Sequence, residues 1–238
     1  MVVPEVNPQA ILKHKGIIAN PNCSTIIMVM ALKPIYDLAK IKRVIVSTYQ
    51  AVSGAGKEGI DELDAQVREH SEGREMTANI LPSASAEKHY PIAFNLIPQI
   101  DVFCDNLYTK EEMKMVNETK KIMEDYEMRI TATTIRVPVY RSHSESVNIE
   151  LEKEVDLGAM REALAKFPGV TVQDDPSKQE YPMPLYTSEK DDVYVGRLRR
   201  DESCEKSYNM WVVGDQIRKG AALNTLQIAE TMIKNGWI

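Results

Sequence analysis

Cys23 lies in the run Ala19-Asn20-Pro21-Asn22-Cys23-Ser24-Thr25, directly ahead of the apolar stretch Ile26 to Leu32. That order places a thiol in the first turn of a buried helix. Unpaired N–H groups and the helix dipole favour an anion there, so the thiol is expected to ionise below the ~8.5 of a free cysteine and to act as a nucleophile. Ser24 and Thr25 offer hydroxyls to the orphan donors of the first turn, and Pro21 fixes the approach of the chain. A free cysteine also serves simply as a small buried apolar residue, and that reading stands beside the first.

Four other places carry chemistry-bearing side chains. Gln50 closes a β-rich run and precedes Ala51-Val52-Ser53-Gly54-Ala55-Gly56, so a neutral amide projects at a strand end, where it either serves a site or braces a turn. Glu118 and Lys121, one helical turn apart, share a face either as a site pair or as a solvated ion pair of little energetic worth. Arg136 sits inside the apolar run Ile135 to Val139, where a buried guanidinium must find an anion or a carbonyl unless its head reaches solvent from an edge strand. His143, in Tyr140-Arg141-Ser142-His143-Ser144-Glu145-Ser146, is either an acid/base group or a histidine of a surface turn.

The elements that must position these groups are legible from periodicity. Lys42 to Gln50 reads as a buried strand. Lys57 to His70 reads as a helix with Ile60, Leu63 and Val67 inward, and residues 73–91 as a loop. Lys110 to Tyr126 is expected to be an amphipathic helix with Met113, Val116 and Ile122 inward, followed by strands over Met128 to Tyr140 and Ser144 to Glu152. The second of these strands alternates apolar and polar residues, as in a sheet with one wet face. A helix over Asp156 to Phe167, strands over Val193 to Arg200 and Asn209 to Val213, and a last helix over Gly220 to Asn235 with Ala221, Ala222, Leu226 and Ile233 complete the pattern. Strands in runs with helices to one side predict an α+β fold, a mixed and largely antiparallel sheet with helices packed on one face.

Composition narrows the function classes. The 238 residues are 43% hydrophobic and 27% charged, with a formal net charge of -6, so there is no electrostatic footprint for nucleic acid and no apolar run long enough for a membrane span. Three cysteines with no C-x-x-C pair predict neither a disulfide framework nor a metal site, and a cytoplasmic setting. Gly54-Ala55-Gly56-Lys57-Glu58-Gly59 matches G-x-G-x-x-G between a strand and a helix. Without further βαβ units it reads either as a tight turn or as backbone amides that cover part of a cofactor held mainly elsewhere.

Taken together, Asn20 to Thr25, Ser47 to Gly56, His89-Tyr90-Pro91-Ile92-Ala93-Phe94-Asn95, Glu118 to Lys121, Arg136 to Val139, His143-Ser144-Glu145 and Lys219 to Glu230 resemble, in this order, the aspartate-semialdehyde dehydrogenase family. The resemblance implies a domain like the C-terminal part of glyceraldehyde-3-phosphate dehydrogenase. It also implies NADPH-dependent reduction of L-aspartyl 4-phosphate to L-aspartate 4-semialdehyde through a cysteine thioester, on the route to lysine, methionine and threonine. By that resemblance Cys23 is the nucleophile, His143 the general acid/base, and Gln50 an orienting group. Arg136 clamps the substrate carboxylate, Glu118 takes its ammonium, and Lys121 with Asn22 meets phosphate. Ser53, Gly54, Ala55, Gly56 and Asn224 touch the nicotinamide end of NADP.

The family begins with a nucleotide-binding unit of about 100 residues that is not seen ahead of Val2. Residues 1–22 are therefore expected to be a remnant of that unit, 23–213 the catalytic and dimerisation domain, and 214–238 a helix that packs on the nucleotide-binding unit. A homodimer or homotetramer is expected, with activity of the chain by itself in question. Two other readings follow from the same residues: a non-catalytic dimerising module, and another acyl-phosphate reductase such as acetylglutamyl-phosphate reductase.

Overall fold

The computed structural model describes residues 1–237. Its centre is a six-stranded sheet in the order β2-β1-β3-β6-β5-β4, built from β1 (Ile41–Gln50), β2 (Arg129–Arg136), β3 (His143–Leu151), β4 (Val170–Val172), β5 (Val193–Arg200) and β6 (Ser207–Gly214). The inner pairs β1–β3, β3–β6 and β6–β5 are antiparallel, and each edge strand is added in parallel, β2 on β1 and β4 on β5. This is the α+β, largely antiparallel arrangement predicted. β2 stops at Arg136, short of Tyr140, because Pro138 has no N–H to give a ladder.

One face of the sheet is covered by α1 (Cys23–Leu38), α3 (Lys110–Ile122) and α4 (Leu157–Lys166), and the main core lies between them. α1 is buried almost all round, from Ser24 through Leu32 and again at Pro34 and Ile35, as its unbroken apolar sequence requires. Val44, Val46, Val147, Ile149 and Val212 rise from the sheet to meet it. The opposite face carries Tyr49, Ser146, Asn148, Asn209 and Trp211, with the Tyr49 and Trp211 rings 5.5 Å apart.

α2 (Lys57–Ser71) and α3 bracket a long irregular segment. The apolar spacing placed Val67 inward, yet Val67 is exposed and the buried face of α2 holds Gly59, Glu62, Leu63 and Gln66. The polar pair is buried because it organises that segment. Gln66 Oε1 accepts from the Ile92 and Ala93 N–H groups, its Nε2 donates to Thr77 O, and Glu62 Oε2 accepts from Asn79 and Ile80.

α3 departs from its expected face in the same way. It ends at Ile122, four residues early, and buries Glu111, Glu112, Met115, Glu118, Thr119 and Ile122, while Met113 and Val116 are only half-buried. Its start is fixed by a capping box, Thr109 accepting from Glu112 N–H while Glu112 accepts from Thr109 N–H. At the C-terminus a π-helical turn, Arg218–Ala222, leads into the last helix, α5 (Leu223–Asn235). Leu226 and Ile233, read as its apolar face, are 56% and 69% exposed; Ile228 is the residue that packs, against Val2 and Ile11.

Candidate functional site

Cys23 is the first residue of α1, as its sequence setting predicts, but the cap is Asn22 rather than Ser24 or Thr25. Asn22 Oδ1 accepts from Thr25 N–H at 3.1 Å, its Nδ2 donates to Glu111 Oε1 at 2.8 Å, and its own N–H donates to Glu118 Oε2 at 2.7 Å. One asparagine thus ties the helix start to two carboxylates of α3. Gly220 of the π-helical turn lies against Cys23 so closely that a Cβ there would sit 3.0 Å from the cysteine Cβ. The expected easy ionisation of the thiol is corrected by these surroundings. Burial and, after it, the neighbouring Glu111 push Cys23 up to about 12, against the pull of Arg136 and the Ser24 N–H.

The strand ends supply the next groups. Gln50 and Arg136 are paired in the parallel register of β1 and β2, so both point from the same sheet corner. Although β2 is an edge strand, Arg136 is only 3% exposed; its Nη1 donates to Ala51 O at 2.7 Å, and its Nε is buried with no partner. Burial lowers its pKa, and Glu111 opposes that. Gln50 Nε2 donates to Thr48 Oγ1 and, at 3.4 Å, to Glu111 Oε1.

His143 opens β3 and is fully buried. Its Nδ1 accepts from the Ala51 N–H at 3.0 Å, while Nε2 has no partner. Burial, and then Arg136, holds its pKa well below the ordinary histidine value. The residue before it, Ser142, has φ of 75°, a left-handed conformation unusual for serine. It is held there by Gln216, whose Oε1 accepts from Ser142 N–H, and by Thr187, whose hydroxyl meets that of Ser142 at 2.7 Å. Gln216 Nε2 also reaches Ser53 Oγ, joining the start of β3 to the glycine turn. Sequence reading missed Gln216, which carries no signal beyond its place after the last strand.

The segment Gly54-Ala55-Gly56 belongs to a 3-10 turn, Val52–Ala55, and the N-cap of α2. Gly54 is glycine for room: a Cβ there would lie 2.7 Å from Arg136 Nη1 and 3.3 Å and 3.4 Å from His143 Cε1 and Nε2. The stretch leaves exposed bare backbone beside Arg136 and His143. Asn224, expected at the same end of the cofactor, lies apart from this turn. It is fully buried, its Nδ2 donates to Val2 O and Asn20 Oδ1, and its Oδ1 accepts from Lys219, itself paired with Glu5 at 2.6 Å.

A cavity of about 270 Å³ opens beside the turn and is lined by Gly54, Glu111, Lys114 and Arg136, among others. Glu111 and Lys114 were not singled out from the sequence, although Glu111 and Glu118 stand two turns apart on one helix face. Lys114 Nζ lies 3.3 Å from Glu111 and from Asp101; burial alone would lower it, but these carboxylates hold its pKa above the usual lysine value. Glu118 faces Asn22 instead, and its pKa is raised by burial against the Asn22 N–H bond. Lys121 is exposed and lines a different cavity, of about 620 Å³, with Met1, Lys13, Lys15 and Tyr126. That cavity is the larger; Cys23 and His143 line neither of the two, and Arg136 lines only the smaller, together with Glu111 and Lys114. No group of three or more metal-ligating side chains occurs among the described residues.

Comparison with known proteins bears on this geometry. The profile of the semialdehyde dehydrogenase dimerisation-domain family matches residues 32–219. The chain is 55% identical over 240 residues to the aspartate-semialdehyde dehydrogenase of Aquifex aeolicus, covering 100% of this chain and 69% of that protein. To the Bacillus subtilis enzyme of the same name it is 52% identical over 235 residues, with 98% and 68% covered. A Vibrio cholerae aspartate semialdehyde dehydrogenase II solved in complex with ASA superposes with a TM-score of 0.91 at 46% identity, over 98% of this chain and 67% of that one. A Candida albicans aspartate semialdehyde dehydrogenase solved with NADP shares the fold, with a TM-score of 0.72 at 24% identity, over 100% and 67%. Identity near one residue in two across the whole chain, with a family profile spanning most of it, shows the family: the chain belongs to the aspartate-semialdehyde dehydrogenases, which are oxidoreductases.

Proposed function

We propose that this chain carries the catalytic centre for reduction of L-aspartyl 4-phosphate to L-aspartate 4-semialdehyde, in the biosynthesis of lysine, methionine and threonine in a reducing cytoplasm. The observation that carries the reading is the charge pattern of the 270 Å³ cavity, where Arg136, Glu111 and Lys114 converge. An aspartyl phosphate has one carboxylate, one ammonium and one phosphate group. A guanidinium fork suits the carboxylate, a buried carboxylate suits the ammonium, and a lysine point charge suits phosphate. Glu111 and Lys114 therefore take the roles that the family resemblance gave to Glu118 and Lys121. Asn22 acts through Glu111, and Gln50 orients the same carboxylate.

Cys23 attacks the acyl carbonyl and phosphate leaves, so the acyl group is held as a thioester at the start of α1. Bound NADPH would supply the hydride that reduces this thioester, its ring against the Ser53 to Gly56 turn. His143 stands at the reacting oxygen. Residues 23–213 would form the catalytic and dimerisation unit, and the face that carries Tyr49 and Trp211 would meet a second copy in a homodimer or homotetramer. Brief exposure of the chain to L-aspartyl 4-phosphate, followed by peptide mass mapping, tests the reading. Acylation confined to Cys23 supports it; acylation of Cys104 or Cys204, or none, overturns it.

A further inference from the structure

We propose that Asp101 is a built-in rival to phosphate at Lys114, a fixed carboxylate that weakens the hold of the cavity on that group and so favours its departure. The proposal rests on the reading of Lys114 as the phosphate contact, and it adds a residue that neither the sequence motifs nor the family resemblance singled out.

Asp101 reaches the cavity from the irregular segment between α2 and α3, and both of its flanks are tied to elements that build the site. Ile97 exchanges two backbone bonds with Arg136, at 2.9 Å and 3.1 Å, and Val102 O accepts from the Lys110 N–H at 2.9 Å. The backbone of Asp101 is left-handed, with φ of 67°, a conformation that aspartate tolerates better than most residues. Its Oδ1 accepts from the Val102 N–H at 2.8 Å, and Gln99 Nε2 donates to its carbonyl oxygen at 3.1 Å. One oxygen is thus spent on the turn. The other, Oδ2, lies 3.3 Å from Lys114 Nζ, and the side chain is 33% exposed, so solvent screens the pair less than it would a surface ion pair.

The charges of the cavity do not suit a phosphate unopposed. Among the described residues, Arg136 and Lys114 face Glu111, Asp101 and Glu58 there, two cations against three anions. In the proposed function Arg136 takes the substrate carboxylate and Glu111 its ammonium, which leaves Lys114 for the phosphate and gives Asp101 no cationic group of the substrate. Lys114 is already shared between Glu111 and Asp101, each 3.3 Å away. A phosphate oxygen arriving at Lys114 must either displace the Asp101 carboxylate or sit a few ångströms from its charge, and both lower affinity.

Asp101 is not needed to keep the ammonium in place. Glu111 holds Lys114 from the same helix at i, i+3, and that bond survives without Asp101. Nor does the turn require a charge, because the amide oxygen of asparagine can accept from Val102 and asparagine also tolerates the left-handed backbone. What aspartate supplies beyond asparagine at this position is negative charge beside Lys114.

Titration of the chain with inorganic phosphate, read by calorimetry, tests this against Asp101→Asn and against Asp101→Gly, a second residue suited to positive φ. Both variants should bind phosphate about tenfold more tightly than the parent, a gain that shrinks as salt is added. Adding Lys114→Gln to Asp101→Asn should abolish the gain. A turn residue with a structural role alone would lose affinity or leave it unchanged when replaced, so equal or weaker phosphate binding in both variants, or no saturable binding by any of the proteins, overturns the proposal. Lys114→Gln alone separates the two readings. If it left phosphate affinity unchanged, the assignment of phosphate to Lys114 would fail and take the proposal with it; if it weakened binding while both Asp101 variants matched the parent, that assignment would stand and the role of Asp101 would fall.

Discussion

Gly54→Ala is the substitution for which the structure gives the most definite consequence. The backbone at Gly54 is not left-handed, so alanine is conformationally acceptable and the whole effect comes from the added methyl group. That methyl would lie 2.7 Å from Arg136 Nη1, and ordinary contact requires a retreat of about 0.7 Å. Nη1 is not free to move, because it donates to Ala51 O at 2.7 Å within a buried corner. Losing that charge-assisted bond costs about 1.5–3 kcal/mol, which for a chain of this size lowers Tm by about 3–12 °C. Under the proposed function, a guanidinium displaced by most of an ångström would also lose a charge-assisted bond to the substrate carboxylate, worth about 1.5–3 kcal/mol in affinity, or roughly 10- to 150-fold. Thermal scanning, together with calorimetric titration of L-aspartate 4-semialdehyde, measures both quantities on the same protein. If Gly54→Ala left Tm within about 1 °C and affinity within about two-fold, the placement of Arg136 over Gly54 would be wrong.

Three further outcomes follow from the same centre. Because burial and Glu111 raise Cys23 to about 12, iodoacetamide at neutral pH should label exposed Cys204 first, with the Cys23 rate still climbing above pH ~10; prior labelling of Cys23 at pH ~7 would contradict this. Glu145, fully buried and unpartnered, has a folded pKa well above its unfolded ~4.3, so its neutral form contributes stability that is present below pH ~4 and lost as pH rises through the folded value. Glu145→Gln should therefore gain Tm relative to the parent progressively as pH rises above ~4, and a pH-independent difference would exclude that linkage. Arg136→Lys keeps the charge but not the fork, and semialdehyde affinity should fall by about 1.5–3 kcal/mol; an unchanged titration would remove Arg136 from the carboxylate.

The groups whose places could be read from sequence are those at element ends. Cys23 stands ahead of an apolar helix, Gln50 closes a β-branched run, Arg136 sits inside an apolar strand and His143 precedes an alternating one, and the structure puts each at an end of α1, β1, β2 or β3. The choice of carboxylate and lysine on α3 was not legible. Glu111–Lys114 and Glu118–Lys121 repeat the same spacing seven residues apart, so both carboxylates fall on one face about 10 Å from one another along the axis. Only the tertiary placement of the Thr109 cap beside the β1–β2 corner brings the first pair into the cavity. The burial of Gln66 and Glu62 was hidden for a related reason. Apolar periodicity identifies residues that pack on a core, and these two face inward to satisfy backbone N–H groups of the segment after α2.

That fastening by Gln66 and Glu62 gives the cavity beside Arg136 two walls of unequal stability. Ile80, Pro82, Ser83 and Ala84, which line the cavity opposite Arg136, belong to the segment held on α2, not to the sheet that supplies Arg136 and His143. The two walls are therefore separate cooperative units: one rests on the main core, the other on a small cluster of Val52, Leu63, Leu81, Ile92, Ala93 and Ile97 and a few side-chain bonds. The free energy to part them is that of a local opening, well below global unfolding. In amide exchange, the N–H groups of Asn79, Ile80, Ile92 and Ala93 should form one fast-opening set while those of β1 and β3 stay protected. Under the proposed function, a charged ligand would enter and leave by loosening one wall, with Arg136 staying fixed on the other.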